Sequence, residues 1–368
     1  MPPESASMAR LRAVEVSGDE SAVEGPLCGY HHETYVIPLP GVTGAGGAAR
    51  WKCREPRENL LWFDRRCFAS EEQLLRSLQG RIARVPDVFE VDGLALQRFV
   101  EGQTLGALHG AGQAVSRGLA RQIVELFGEL AAVTSETLPV HRRCHPVDRP
   151  ADGDTAGFLE RLICFTEQRV YARNLPEFES LFADLGLDGD SFKRLRKHVS
   201  GLRERPFCLL HADLHRENFI VDMDRRLWTI DWELAMVGDP LYDLATHLHL
   251  MRYPLWQGRR VTEEWRRVVE AVRPGGSNGW QQDLRLLIGY KRAQSVFTDV
   301  IREALSMGQK AHSPGPGLVH TAARLHRVLA DAALPLGLES VPGPTAIGTA
   351  LVRWSRTHAD ARQVPDRP

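Results

Sequence analysis

Near the middle of the chain two short apolar runs flank a charged turn: Phe219-Ile220-Val221, then Asp222-Met223-Asp224-Arg225-Arg226, then Leu227-Trp228-Thr229-Ile230. That pattern predicts a β-hairpin whose ends meet, with Asp231 at the end of the returning strand. Strand patterns also dominate the first hundred residues. Glu33-Thr34-Tyr35-Val36-Ile37 reads as one strand. Ala49 to Arg54 alternates as another, which puts Lys52 and Arg54 on one face. Gly41 to Gly47 between them reads as a hairpin tip, since the Gly-Lys-Ser/Thr ending of a phosphate-binding P-loop is missing. Val85 to Val91 and Leu94 to Phe99, joined by Asp92-Gly93, read as a further hairpin. Ser70-Glu71-Glu72-Gln73 has the form of a capping box opening a helix with Leu74, Leu75 and Leu78 on its apolar side.

From Leu105 onward the period changes to that of helices. They are expected at Leu119–Val133, 156–173, 176–185, 190–203, Pro240–Met251, 262–272, Leu284–Leu305 and 317–333, with a short one at 345–356 in a Pro- and Gly-interrupted tail. His141 to Pro150 reads as a loop. Residues 1 to about 10 are expected to lack regular structure, and Arg12 to Val16 to form a strand or short helix. Strands first and helices after define an α+β chain.

Composition narrows the function. With 368 residues there is room for two sizeable cores. The 46 basic and 47 acidic residues nearly cancel, which argues against a nucleic-acid partner. No apolar run approaches the length of a membrane span, and the N-terminus lacks the basic and apolar regions of a signal peptide, so a cytoplasmic protein is expected. The six cysteines are scattered, form no Cys-x2-Cys pair, and read as small buried hydrophobes. Lysine is confined to positions 52, 193, 197, 291 and 310, a skew toward arginine of the kind a GC-rich genome produces.

The chemistry is concentrated in His211-Ala212-Asp213-Leu214-His215-Arg216-Glu217-Asn218 and in Asp231. Asp213 and Asn218 share one loop, and the predicted hairpin returns Asp231 to Asn218. Mg²⁺ takes oxygen ligands, commonly one or two from protein with water and phosphate completing the shell. Asn218 and Asp231 suit that task, and Asp213 is left to orient a hydroxyl and accept its proton.

This segment resembles the catalytic and metal loops of the aminoglycoside phosphotransferase and choline kinase family, relatives of the protein kinases. The pattern is His-x-Asp-x4-Asn followed by an Asp, and Gly238-Asp239-Pro240-Leu241-Tyr242-Asp243-Leu244-Ala245 matches the family after its metal loop. The resemblance implies a bilobal, protein-kinase-like fold. Residues 1–97 would form a nucleotide-binding lobe made of an antiparallel sheet and one main helix. A hinge at 98–103 would lead to a larger, mainly helical catalytic and acceptor-binding lobe at 104–340, with a tail at 341–368. It implies Asp213 as the catalytic acid–base residue, Asn218 and Asp231 as metal ligands, and His215 where protein kinases carry a lysine near the transferred phosphate. Lys52, or Arg54 in its place, would pair the phosphates and be held by Glu71, or by the neighbouring Glu72. Backbone groups around Arg98, Phe99 and Val100 would bind the base of ATP or GTP, and Gly29 to His32 would either cover the phosphates or be an ordinary turn. Acidic residues in 239–245 would tie the loop to the next helix.

The implied activity is Mg²⁺-dependent transfer of a nucleotide γ-phosphate to a hydroxyl of a small molecule, by a monomer or homodimer. The composition favours an antibiotic acceptor, and hence resistance, over a metabolite such as choline, homoserine or a sugar. Residues 148–190 carry ten acidic and four basic side chains, and either attract a cationic acceptor or form a solvated acidic face. His211, Asp213, His215, Asp231, His247 and His249 also admit a reading as ligands in a metal-dependent hydrolase. The usual zinc-hydrolase spacings are absent, however, and Asn218 would have no role.

Overall fold

A computed structural model describes residues 7–27, 32–44, 47–57, 65–91, 93–146, 149–309 and 316–362. The chain divides into two compact units. The first comprises 1–146, 207–243 and 250–276, and the second 147–206, 244–249 and 277–368. The segment 98–103 therefore lies inside the first unit.

The first unit is built on a five-stranded antiparallel sheet in the order β1-β2-β3-β5-β4. These strands are β1 (Glu24–Leu27), β2 (His32–Gly44), β3 (Gly47–Pro56), β4 (Val88–Val91) and β5 (Leu94–Arg98). The expected hairpins form: Gly44 pairs with Gly47, and Val91 with Leu94. Period-two alternation sorts the side chains. Tyr35, Ile37, Leu39, Trp51, Cys53 and Leu96 form a core on one face against Ala9 and Ala13 of α1 (Met8–Ser17). Residues 8–10 are thus helical, contrary to expectation. Ser7 caps the helix by accepting the Arg10 N–H, and Gly18 ends it at φ +70°. The helical period was hard to read because alanines, rather than large apolar residues, make the contact.

The even-numbered residues of β3, Lys52 and Arg54, belong to the other face, where α2 (Glu71–Leu78) lies. Ser70 caps α2 as anticipated, accepting the Gln73 N–H. The remainder of the unit carries β6 (Gln103–Thr104), α3 (Leu105–Leu108), α4 (Arg117–Ala132) and β7 (Cys208–Leu210). It continues with β8 (Phe219–Val221), β9 (Leu227–Thr229), β10 (Met236–Gly238) and α9 (Leu255–Val272). β8 and β9 are the central hairpin, in register Phe219 to Thr229, and β6 joins them as a third strand. β7 pairs with β10, and α4 packs against α9. α8 (Pro240–Met251) begins in this unit under the Asp239 cap, whose side chain accepts the Leu241 N–H.

The second unit is helical. It contains α5 (Thr155–Phe165), which continues into a wider turn at Thr166–Tyr171, then α6 (Leu175–Asp184), α7 (Asp190–His198), α10 (Trp280–Gln309), α11 (Pro316–Leu336) and α12 (Pro344–Arg362). Tyr171, Phe178, Phe182, Phe192, Phe297 and Trp354 interlock at its centre. α12 runs longer than the short helix expected at 345–356. It belongs to this core, with Trp354 stacked 5.0 Å from Phe178. Among the described residues no helix is long and apolar enough to cross a membrane. Cys53 and Cys208 are buried, whereas Cys67, Cys144 and Cys164 are half-exposed.

Candidate active site

The site lies within the first unit. β7 delivers the chain into the loop 211–218, where Ala212 takes φ +65°, a strained value for a residue with a side chain. The carboxylate of Asp243, buried in the first turn of α8, accepts both the His211 N–H (3.0 Å) and the Ala212 N–H (2.8 Å). This is the tie between loop and helix that the resemblance implied. From the other side the buried guanidinium of Arg216 donates to the carbonyls of Met251, His109 and Gln113. A fork of fixed N–H donors satisfies three backbone acceptors at once and leaves the loop little freedom.

His211 is fully buried, 4.6 Å from the Trp232 ring. Burial pulls its pKa down to about 4, so the imidazole is neutral at pH 7. Its Nε2 lies 3.1 Å from the Ile230 carbonyl, and its Nδ1 has no partner. A protonated Nε2 donating to that carbonyl satisfies this geometry. His211 thus braces the loop against the end of β9.

Asn218 and Asp213 are locked together. The Asn218 amide nitrogen donates to the Asp213 carbonyl (3.0 Å) and to its Oδ2 (3.2 Å). That fixes which way the amide points and turns its Oδ1 away from Asp213. The hairpin closes as expected: the Ile230 N–H donates to the Asn218 carbonyl at 3.0 Å, which brings Asp231 next to Asn218. Asp231 itself takes φ +64°. Non-glycine residues held in this region cluster at functional sites, because the surrounding structure must over-determine them. Burial, with the charges of Glu71 and Asp213 adding to it, pushes the Asp231 carboxyl up to about 6.

His215 lies over Asp213, its Nε2 3.4 Å from Oδ2, while its Nδ1 accepts the Glu217 N–H at 3.2 Å. Burial works against its charge, but the Asp213 carboxylate outweighs it and the net shift is upward.

Of the two strand cations offered as the partner of Glu71, it is Arg54 that pairs with it. Its carboxylate receives Arg54 Nη2 at 2.5 Å, and Arg54 also reaches Glu72 at 3.2 Å. Lys52 is one β-strand repeat away on the same face and makes no ion pair with Glu71; its Nζ sits 6.0 Å from the Phe99 ring centroid. The longer, forked guanidinium spans to α2, and the ammonium does not. The second oxygen of Glu71 accepts the Trp232 N–H at 2.9 Å, directly after Asp231. Burial opposes the Glu71 charge, yet Arg54 and this N–H hold its pKa down at about 2. Gln97, buried on β5 opposite Lys52, donates to Glu72. Trp232 and Gln97 were not foreseen as site residues, because one acts through its backbone and the other reads as a strand position.

Two nitrogens of the segment 98–100 are already engaged: the Arg98 N–H with the Asp87 carbonyl and the Phe99 N–H with the Arg50 carbonyl, both at 2.8 Å. Among the described residues nothing takes the Val100 N–H. The turn 29–32 falls almost wholly outside the described residues; only His32 is described, with its Nδ1 3.9 Å from Glu233. Glu233, two residues after Asp231, has a buried oxygen that makes no hydrogen bond among the described residues, and burial pushes its carboxyl up to about 8.

The donor set decides which metal the site suits. Asn218 Oδ1 and the Asp231 carboxylate offer two hard oxygens, and among the described residues no three His, Cys, Asp or Glu side chains cluster to hold a metal alone. A structural or hydrolytic zinc needs such a cluster, whereas Mg²⁺ does not. His211, turned into the core, is not placed for ligation.

Much of the acidic interval in the second unit is neutralised internally. Arg196 pairs with Glu160 and Glu167, Arg194 with Asp188, and Arg353 with Asp184.

An antiparallel sheet with one helix on the face that carries Lys52 and Arg54, an Asp–Asn loop and an Asp closing the next hairpin form a protein-kinase-like arrangement. A family model described as "phosphotransferase enzyme family" matches residues 45–282, and the chain belongs to that family. Its fold is similar to that of macrolide 2'-phosphotransferase MphH from Brachybacterium faecium, at 17% identity and TM-score 0.51 over 88% of this chain and 95% of that one. It is also similar to choline kinase LicA from Streptococcus pneumoniae, at 15% identity and TM-score 0.50 over 88% of this chain and 99% of that one.

Proposed function

We propose that the enzyme transfers the γ-phosphate of ATP or GTP to a hydroxyl of an antibiotic, with Asp213 as the catalytic residue. The observation that carries this reading is the Asp213–Asn218 clasp beside Asp231. It presents a carboxylate, held by Asn218 and flanked by His215, next to two oxygens suited to a hard cation. Asp213 accepts the hydrogen bond of the acceptor hydroxyl and aims its oxygen at the γ-phosphorus. As that oxygen bonds to phosphorus, the bond to the bridging oxygen of the nucleotide breaks, the diphosphate leaves, and the proton passes to Asp213. The transition state is loose, so alignment and charge neutralisation contribute more than proton abstraction. Mg²⁺ held by Asn218 and Asp231 would supply positive charge to the phosphate oxygens. Lys52 faces the remaining phosphates, His215 stands beside the transferred group, and the hinge at 98–103 offers the Val100 N–H to the base.

The antibiotic assignment draws on the composition and on a fold shared with a macrolide phosphotransferase; the same fold in a choline kinase supports a metabolite acceptor as the alternative. The internal pairing of the acidic interval removes one reason to prefer a polycationic antibiotic over a neutral one. The need for nucleotide fits a cytoplasmic location. The test is a nucleotide-consumption screen with ATP and GTP in parallel against antibiotics and small alcohols. Turnover with an antibiotic supports the proposal. Turnover with choline, homoserine or a sugar alone replaces the acceptor, and no Mg²⁺-dependent turnover with any hydroxyl compound counts against the reaction.

A further inference from the structure

The Glu71 carboxylate joins three parts of the first unit that are far apart in sequence: β3 through Arg54, α2 through its own backbone, and the metal loop through the Trp232 N–H. Glu72 and Gln97 complete the set around Arg54. Lys52, on the same strand face, makes no ion pair with Glu71 or Glu72, although the charges of Arg54, Glu71 and Asp231 act on it at longer range. We infer a division of labour between the two strand cations: Arg54 is a positioning residue that sets the metal loop through Glu71, and Lys52 is the uncommitted cation that meets the nucleotide phosphates. The inference rests on the phosphotransferase reading and adds to it that a single arginine does the bracing commonly expected of the phosphate-binding cation.

The geometry gives the reason. Asp231 is held at φ +64°, and the next peptide N–H is fixed by one charge-assisted hydrogen bond to Glu71. If that carboxylate turns, nothing else among the described residues takes the Trp232 N–H, and the strained residue before it loses its constraint. Glu71 is nearly buried, so only a cation of fixed geometry keeps it ionised and aimed. The Arg54 fork reaches both Glu71 and Glu72. Lys52 has neither the reach nor a second donor plane, and the burial that disfavours its charge is relieved when a phosphate arrives.

The test uses the full chain in four forms: wild type, Arg54→Lys, Glu71→Gln and Lys52→Met. Three properties are read: amide hydrogen exchange of a peptide spanning 230–233 without nucleotide, calorimetric ATP and GTP affinity with Mg²⁺, and the Mg²⁺ concentration giving half-maximal nucleotide turnover. Glu71→Gln should speed exchange at 230–233 by about ten- to a hundredfold and raise the Mg²⁺ requirement roughly tenfold, with nucleotide affinity changed less than about threefold. Arg54→Lys should move the same properties in the same direction by less, because one donor remains. Lys52→Met should leave exchange and Mg²⁺ requirement in place and weaken nucleotide affinity by about tenfold or more. Circular dichroism and the melting temperature identify a variant that has simply unfolded. If that variant is Arg54→Lys or Glu71→Gln, the other is compared with Lys52→Met; if it is Lys52→Met, Lys52→Gln takes its place. The inference is overturned if Lys52→Met and Arg54→Lys produce one pattern, or if Glu71→Gln leaves exchange at 230–233 unchanged. Wild-type protein that binds neither ATP nor GTP with Mg²⁺ contradicts the phosphotransferase reading instead, whatever the exchange data show.

Discussion

Under the proposed mechanism Asp213 must be held in one orientation, and the Asn218 amide nitrogen does this by donating to both its carbonyl and its Oδ2. Asp213→Ala should therefore fold normally and lose about 10²- to 10⁴-fold in kcat, with nucleotide affinity largely retained, as steady-state kinetics and calorimetry will show. His211 makes a second residue-scale prediction. Its folded pKa of about 4 lies below the ordinary value of 6.5, so the unfolded chain binds more protons between the two. The stability it contributes is present above pH 6.5 and is lost as pH falls toward 4, a difference on the order of 3 kcal/mol. Denaturation midpoints across that range should fall less steeply for His211→Gln than for wild type. Equal slopes would remove His211 as the acid-sensitive brace. Asp213, Asn218 and Asp231 were legible in the sequence because their spacing and one hairpin suffice to bring them together. The choice of Arg54 over Lys52 was not, because both occupy one strand face and only the placement of α2 decides which reaches Glu71.

At the scale of elements, the β8–β9 hairpin does most to gather the site, and two positions test how. Gly102 takes φ +150° immediately before β6, and a Cβ there would overlap the Val221 carbonyl of β8. Gly102→Ala should lower stability by about 2 kcal/mol or more in chemical denaturation, since backbone cannot yield as a side chain can. Arg225, in the turn between β8 and β9, sits at φ +58° after an Asp222-to-Arg225 turn bond. Arg225→Gly relieves roughly 1–2 kcal/mol of strain and costs about 0.5–1 kcal/mol in chain entropy. A net gain below about 1.5 kcal/mol with unchanged activity is expected, read from the same denaturation curves. The hairpins and the long helices were visible in apolar period alone. α1 escaped because Ala9 and Ala13 carry its contact, and the length of α12 escaped because the buried apolar side chains among its described residues are just Ile347, Ala350, Leu351 and Trp354.

Across the whole molecule, the family match at 45–282 spans the strand cations, the helix bearing Glu71, the loop 211–218 and Asp231. α1 and α11–α12 lie outside it. The compact units also cut the chain where the apolar pattern gives no warning: residues 104–146 join the sheet-bearing unit, and 341–362 belong to the helical core. Sequence periodicity reports which face of an element is buried, and not against what; contacts between distant segments had to come from the fold. The acidic stretch shows the same limit, because Arg194, Arg196 and Arg353, which neutralise much of it, lie outside the interval. The central claim is that one cluster in the first unit moves a nucleotide phosphate to an alcohol. The most direct measurement is transfer of labelled γ-phosphate to the acceptor found by the screen, with Mg²⁺, for wild type and Asp213→Ala side by side. The account predicts labelled phosphoester from the wild type and a rate at least about a hundredfold lower from the variant. Equal transfer by both proteins would contradict it.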